Sequence, residues 1–236
     1  MSNTIFQFKQ FSVDQKGSAM KINTDGVLLA AKATSIAPKY ILDIGTGTGV
    51  IALMLAQRFP ESEVHALEIN TSAAECAEKN FKDSPFAKRM SLYATDFNQF
   101  IPQVEYDLIV SNPPFFINSL KNPDENKTMA RHVQEEFFDN LFSKTHAWLR
   151  GTGTFQLIWP RLIKDLSLER GFLSEWTIEK ETDIRSFEDS EAIRIITVLS
   201  KQEVGNISKN EFVIYREKGK YTTEYLNLLK PFFLNF

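Results

Sequence analysis

Asn112, Pro113, Pro114 and Phe115 follow directly on the apolar run Asp107-Leu108-Ile109-Val110-Ser111, and together they have the chemistry to hold a planar amine. The prolines fix φ and remove two backbone donors, leaving carbonyl oxygens with no N–H to compete for them. The Asn112 side-chain oxygen and a backbone carbonyl, that of Pro113, can accept the two hydrogens of an exocyclic NH2, while Phe115 offers a face for stacking a ring. A strand that ends in a Pro-rich turn accounts for the same residues equally well, so the rest of the chain has to decide.

A second group lies near position 45. A predicted strand over 40–44 runs into Asp43-Ile44-Gly45-Thr46-Gly47-Thr48-Gly49, a turn whose glycines let a ligand touch backbone at the carboxyl edge of a sheet. The spacing is G-x-G-x-G, not the G-x-G-x-x-G of dinucleotide binders, and Asp43 stands two residues before the first glycine. A pyrophosphate at the start of the following helix would be repelled by that carboxylate, whereas a ligand carrying an ammonium group would be drawn to it. S-adenosylmethionine carries an ammonium and a sulfonium, so charge favours it over a nicotinamide dinucleotide. Glu68, at the end of a predicted strand 63–68, can accept both ribose hydroxyl protons, a device that dinucleotide folds share. Asp96, just after a strand 90–94, can accept from an adenine amino group with Phe97 beside the ring. Each acid alone is an ordinary polar strand end. Successive strand ends carrying glycines, Glu68, Asp96 and Asn112 are far harder to dismiss.

The elements that must position these residues alternate regularly. Strands are predicted over 40–44, 63–68, 90–94, 106–111, 152–159, 176–181 and 193–200. Helices are predicted from Ala30 to a stop at Pro38, over 50–58, from the capping-box spacing Ser72-x-x-Glu75, over 134–150 and over 162–169. Segments 212–216 and 222–229 read as a terminal strand and helix, with the last strands antiparallel. This pattern implies an α/β class: a doubly wound, mainly parallel seven-stranded, Rossmann-like sheet with helices on both faces. Residues 1–39 read as an arm and helix packed on the core, and 40–236 as the main domain, one structural domain overall.

Composition narrows the classes. The 236 residues are 43% hydrophobic and 24% charged, enough to bury a full core and inconsistent with a disordered or fibrous chain. No long apolar run or leader pattern is present, so the expectation is a cytoplasmic protein without a membrane partner. The single Cys76 excludes an internal disulfide, and with His65, His132 and His146 scattered, no metal is expected. The net charge is −3, yet residues 1–39 carry Lys9, Lys16, Lys21, Lys32 and Lys39 against Asp14 and Asp25, a modest basic arm.

The Asp-x-Gly-x-Gly-x-Gly turn together with Asn112-Pro113-Pro114-Phe115 resembles class I S-adenosylmethionine-dependent methyltransferases that act on an amino nitrogen of a planar group. The stretch 8–29, which contains Lys21-Ile22-Asn23-Thr24-Asp25-Gly26, closely resembles the valine-tRNA adenine-N6 methyltransferase family, whose target is adenosine 37 of the anticodon loop. The resemblance covers most of 6–159 and, more weakly, the end of the chain. It implies that Lys21, Thr24 and Asp25 border the methionine end of the cofactor, with Asp43, Gly45, Gly47, Gly49, Glu68, Asp96 and Asn112 around the rest. It also implies a monomer with a tRNA partner and no DNA. The family usually has Tyr where this chain has Phe115, which keeps the stacking face and loses a hydroxyl. Lys9, Lys16, Phe116, Lys121, Lys127 and Arg131 are the candidate RNA contacts, the last four from a long connection over 117–133 and its approach. Related motifs occur in enzymes that methylate a release-factor glutamine or an rRNA guanine. A protein that binds cofactor or RNA without catalysis is the alternative from another class.

Overall fold

Along the central strands successive side chains enter opposite faces of the sheet, and both faces are buried. The computed structural model describes residues 4–17, 20–114, 125–171 and 173–235, and of 125–134 the backbone only. In β3 (Tyr40–Ile44), Ile41 joins one core cluster while Leu42 and Ile44 join the other; in β6 (Tyr106–Ser111), Leu108 and Val110 face the first cluster and Ile109 the second. Such strands read as continuous apolar runs because each residue is covered, the condition of a parallel sheet inside helices.

The first face is covered by α1 (Thr24–Lys32), α2 (Val50–Arg58), α3 (Thr71–Lys82) and α6 (Thr223–Leu229), the second by α4 (Glu125–Trp148) and α5 (Arg161–Glu169). The remaining strands are β4 (Glu63–Glu68), β5 (Met90–Ala94), β7 (Leu149–Pro160), β8 (Thr177–Arg185), β9 (Arg194–Ser200) and β10 (Ser208–Val213). Across the sheet they lie in the order β10-β8-β9-β7-β6-β3-β4-β5. All neighbouring pairs are parallel except those made by β9, which runs against both β7 and β8. A small hairpin, β11 (Tyr215–Glu217) and β12 (Lys220–Tyr221), follows β10.

The sheet therefore has eight strands, one more than the seven expected from sequence. The eighth, β10, overlaps the terminal strand expected at 212–216 but begins earlier, with Ser208-Lys209-Asn210-Glu211, all exposed, which carry no apolar signal; its anchor is Phe212, fully buried under the Lys32 ammonium at 3.9 Å. The expectation of antiparallel last strands holds for β9, whereas β10 runs parallel to β8.

The helix expected over 30–38 lies earlier, at Thr24–Lys32, because Asn23 caps it and Val27 to Ala31 are all buried. It is finished well before Pro38, whose ring disfavours helical geometry at the residue before it; Ala37 has φ of +46°. Helix α3 is capped by Asn70, whose Oδ1 accepts from the Ala73 N–H, two residues ahead of the expected Ser72 cap. Helix α4 begins at Glu125, well ahead of the expected 134, through residues too polar to show a helical face.

The amino-terminal hairpin of β1 (Ile5–Gln7) and β2 (Ser12–Asp14) shares the first core: Phe8, Phe11 and Val13 are buried in it, and the Phe8 and Phe11 rings stack at 4.4 Å. Burial of each such side chain is worth about 1.5–3 kcal/mol, ample to hold the hairpin down.

Gly49 caps α2 with φ of +83°, and a Cβ there would stand 2.5 Å from Cε1 of Phe81 on α3. Both the left-handed backbone and the close approach require glycine. Gly49→Ala is expected to cost about 2 kcal/mol or more in urea unfolding, whereas Gly151→Ala, where a Cβ meets nothing within 4 Å, leaves stability unchanged within about 0.5 kcal/mol.

Candidate active site

After β3 the chain turns outward through α2 to β4 and β5, then returns to lay β6 on the other side of β3. Loops leaving β3 and β6 therefore diverge, and an open α/β sheet binds its ligands in the crevice made where strand order reverses. The Ser111 hydroxyl donates to the Ile44 carbonyl at 3.0 Å, closing the floor of that crevice.

Above the floor is a cavity of about 450 Å³ lined by residues following each strand in turn: Asp96 and Phe97 after β5, Glu68 and Ile69 at the end of β4, Gly45 and Gly47 after β3, and Asn112, Pro113 and Pro114 after β6. Four adjacent strands at roughly 4.8 Å spacing make a slot of about 14 Å from Asp96 to Asn112.

Backbone hydrogen bonds set the shape of the glycine turn. Gly45 and Thr46 N–H groups donate to the Leu67 carbonyl at 2.9 and 3.0 Å, tying the turn to β4. Gly45 and Gly47 have φ of +74° and +57°, and a Cβ on either would enter open space on the cavity side. The Gly47 N–H donates to Glu68 Oε2 and the Asn70 N–H to Glu68 Oε1, each at 2.9 Å. Each carboxylate oxygen of Glu68 thus has one backbone donor, and its second lone pair is left for a ligand hydroxyl. Asp96 Oδ1 accepts from the Asn98 N–H at 2.8 Å, which fixes the carboxylate beside Phe97. Phe97 meets Phe137 of α4 edge-to-face at 5.5 Å, and with Met20 and Ile69 they give the slot apolar walls.

Asp43 is placed differently from the other acids. It is fully buried under the turn, where its Oδ2 accepts the Thr46 hydroxyl at 2.6 Å, and it does not line the cavity. Burial is the main cause that raises its carboxyl to about 7, helped by the nearby Glu68 charge and opposed by the Thr46 hydroxyl and the Ala52 amide. Asp43 thus supports the turn from beneath, in contrast to the contact with a ligand ammonium expected from its charge. Gly49 likewise serves the α2–α3 contact and lies off the cavity.

Lys21, Thr24 and Asp25 also lie off the cavity lining. Asp25 Oδ2 is engaged by Arg194 Nε of β9 at 2.8 Å, which pins the start of α1 to the sheet. The residue that reaches the site from this segment is Asn23: its Oδ1 stands 3.5 Å from Asn112 Nδ2.

Of the candidate RNA contacts, Lys9 Nζ donates to the Lys230 carbonyl, and the neighbouring Pro231 carbonyl accepts from Gln57 near the end of α2. Because α2 starts at the carboxyl edge, Lys9 sits roughly 10 Å or more down the fold from Asn112, at about 1.5 Å per helical residue. Lys16 is exposed on the turn after β2. Phe115, Phe116 and Lys121 lie outside the described residues, as do the side chains of Lys127 and Arg131.

The profile of the family described as "Methyltransferase small domain" matches residues 17–183. The tRNA1(Val) (adenine(37)-N6)-methyltransferase of Pedobacter heparinus is 45% identical over 231 residues, covering 98% of this chain and 98% of its own. The protein of the same name from Flavobacterium johnsoniae is 41% identical, covering 98% of this chain and 99% of its own. This chain belongs to that methyltransferase family. In three dimensions the chain is similar to a predicted O-methyltransferase, Atu636 of Agrobacterium tumefaciens (TM-score 0.67, 19% identity, 88% and 96% of the two chains). It is also similar to TrmN of Thermus thermophilus (TM-score 0.55, 20% identity, 75% and 47%).

As a member of the family the protein uses S-adenosylmethionine, and the cavity fits it. Glu68 is satisfied by backbone on one side and open on the other for a ribose diol. Phe97, Phe137 and Ile69 would hold the adenine with Asp96 at its amino group, and the bare backbone of Gly45 and Gly47 leaves room for the amino-acid arm. Among the described residues no group of His, Cys, Asp and Glu is placed to hold a metal ion, and no helix is long and apolar enough to cross a membrane. Of the lining residues, Ile69, Phe137 and Met20 were not expected from sequence. Ile69 is legible in retrospect, being an apolar residue directly after a strand-end acid that remains 71% exposed.

The raised Asp43 carboxyl has a pH signature. Below about pH 4 the group is protonated folded and unfolded, so it costs nothing; between about 4 and 7 the unfolded chain ionises while the folded one resists, and stability falls until the folded group ionises too. The cofactor-free Asp43→Asn variant lacks this term. Its melting temperature minus that of the wild type is therefore expected to rise steadily from pH 4 to pH 8 and then level; a difference independent of pH would contradict the buried, raised carboxyl.

Proposed function

We propose that this enzyme transfers the methyl group of S-adenosylmethionine to N6 of adenosine 37 in the anticodon loop of valine tRNA. The observation that carries the reading is Asn112 with Pro113 and Pro114 at the end of β6, facing the same cavity as Glu68 and Asp96. Full-length relatives of the same name support the choice of nucleotide.

An adenine amino group is a poor nucleophile because its lone pair is delocalised into the ring. Bound S-adenosylmethionine would supply an electrophilic methyl group and keep the S–C electron pair on sulfur, and the methylated nitrogen would then lose its proton to water. The groups around the reacting nitrogen are acceptors: Asn112 Oδ1 and the Pro113 carbonyl. Their hydrogen bonds to the two amine hydrogens strengthen as positive charge develops, which lowers the barrier without a general base. Pro113 is buried apart from its place in the cavity wall, and exclusion of water from that wall by bound substrate would strengthen the bond to its carbonyl. Holding nitrogen and methyl carbon at roughly 3–3.5 Å contributes much of the remaining acceleration.

The base must leave its stack to reach Asn112, at a cost of a few kcal/mol that is least in a single-stranded loop. Stacking on Phe115 returns about 1–3 kcal/mol of it. Lys9, Lys16, Lys121, Lys127 and Arg131 are the cations proposed to meet phosphate, with Phe116 a further stacking face; of these Lys9 lies down the fold from Asn112, held at the Lys230 carbonyl.

Incubation with labelled S-adenosylmethionine and total tRNA, followed by nucleoside analysis, is expected to give N6-methyladenosine in valine tRNA alone. Label appearing in guanosine or in protein would overturn the reading. Asn112→Ala is expected to lower the chemical step about 10²- to 10³-fold, by analogy with loss of one preorganised hydrogen-bond partner, while cofactor affinity stays within a few-fold.

A further inference from the structure

Which end of the Asn112 carboxamide faces the substrate decides whether it can act at all. Oxygen and nitrogen of an asparagine amide are nearly the same size, so a 180° flip costs little sterically, yet the flipped group would set two N–H donors against the two N–H donors of a substrate amine. Something on the protein must choose. The only polar side-chain atom within hydrogen-bond range of Asn112 among the interactions of the described residues is Asn23 Oδ1, 3.5 Å from Asn112 Nδ2.

The orientation of Asn23 is itself settled by backbone. Asn23 is the N-cap of α1, in extended geometry with φ −129° and ψ 163°, and its side chain accepts the Gly26 N–H at 2.8 Å. Only an oxygen can accept that bond, so the atom Asn23 shows to Asn112 is an acceptor. The NH2 end of Asn112 must turn toward it, and Asn112 Oδ1 is thereby turned the other way. A flipped Asn112 would place oxygen against oxygen.

The helix that carries Asn23 does not shift easily. Asp25 is paired with Arg194 of β9 at 2.8 Å, the Ile22 N–H donates to Gln15 Oε1 at 2.8 Å, and Gly26 to Ala31 are buried. Asn23 therefore offers its oxygen from a fixed point. The 3.5 Å separation is long for a hydrogen bond, and its electrostatic bias strengthens when substrate covers the crevice and displaces water.

We infer that Asn23 is a positioning residue for methyl transfer: its capping oxygen holds the Asn112 amide in the one orientation that presents an acceptor to the substrate amine. The inference rests on the proposed role of Asn112 and adds a residue that acts through it.

Serine caps helices as well as asparagine does but is too short to reach Asn112, so Asn23→Ser separates the two roles. The measurements are melting temperature, cofactor affinity, and single-turnover rate and KM on valine tRNA. Asn23→Ser is expected to keep the melting temperature and cofactor affinity of the wild type and a KM within about twofold, while the single-turnover rate falls about tenfold, equivalent to about 1.4 kcal/mol. Asn23→Asp retains both a cap and an acceptor and is expected to restore the rate to within about twofold. In an Asn112→Ala background, Asn23→Ser is expected to have no further effect on the rate. A wild-type rate for Asn23→Ser, or the same tenfold loss in the Asn112→Ala background, would overturn the inference; this double-mutant comparison decides the matter even if Asn23→Ser is less stable. Full turnover by Asn112→Ala would instead remove the role of Asn112, a different failure from a neutral Asn23→Ser beside an impaired Asn112→Ala.

Discussion

The reversal of strand order between β3 and β6 is the constraint from which the site follows. Because α2 leaves β3 toward one face of the sheet and α4 follows β6 on the other, the two helices diverge at the edge between these strands. The Ser111–Ile44 hydrogen bond keeps the two strands in contact at the bottom, so the opening has a floor and is not a tear in the sheet. The glycine turn, Glu68 and Asp96 belong to the β3–β4–β5 wall of one crevice and Asn112 to its β6 wall; on the proposed reading, methyl donor and amine come from these opposite walls.

Two carboxylates lie close together beneath and beside the glycine turn, and the structure gives them different surroundings. Glu68 receives a backbone N–H on each oxygen, which fixes the direction of its remaining lone pairs. Asp43 is fully buried with a hydroxyl partner, and its carboxyl rises to about 7. A buried acid in that position serves the turn: Thr46, which donates to it, also accepts the Gly49 N–H at 2.9 Å and so sets the start of α2. The same residue that looked from sequence like a ligand for an ammonium is, in the fold, the post under the glycine turn.

Much of this was legible in the chain because the chemistry sits at strand ends. A short, largely apolar strand followed by a glycine, an acid or an asparagine marks the carboxyl edge of a parallel sheet, clearly at Gly45 and Asn112 and more weakly at Glu68 and Asp96, whose strands carry polar residues. What was not legible depends on contacts between elements distant in sequence. Asn23 reads as an ordinary helix cap until α1 is docked on β9 through Asp25 and Arg194, 169 positions apart. Phe137 looks like any core aromatic of an amphipathic helix until it meets Phe97. The polar edge strand β10 and the first turns of α4 lack apolar periodicity, so neither boundary could be read. Lys9 counted as a basic residue of the arm, and only the path of the hairpin beside α6 shows that its ammonium is engaged by the Lys230 carbonyl.

The acceptor pair at Asn112 and Pro113 suits any planar NH2, so it cannot choose adenosine over a guanine or a glutamine amide. The choice has to come from what surrounds the amine, and the sheet restricts where that can be. On the proposed placement of the cofactor over β3, β4 and β5, the β6 side is the one left for a substrate that brings its amine to Asn112. Here the direction of the later strands matters. Since β8 and β10 run parallel to β7, their carboxyl ends, with Arg161 and Asp183 paired between α5 and β8 and the β11–β12 hairpin beyond, emerge at the same edge as Asn112. Had β10 been antiparallel, as the sequence pattern suggested, its following hairpin would have emerged at the opposite edge. The second half of the sheet thus extends the carboxyl edge beyond Asn112 by four strands, roughly 19 Å at 4.8 Å per strand.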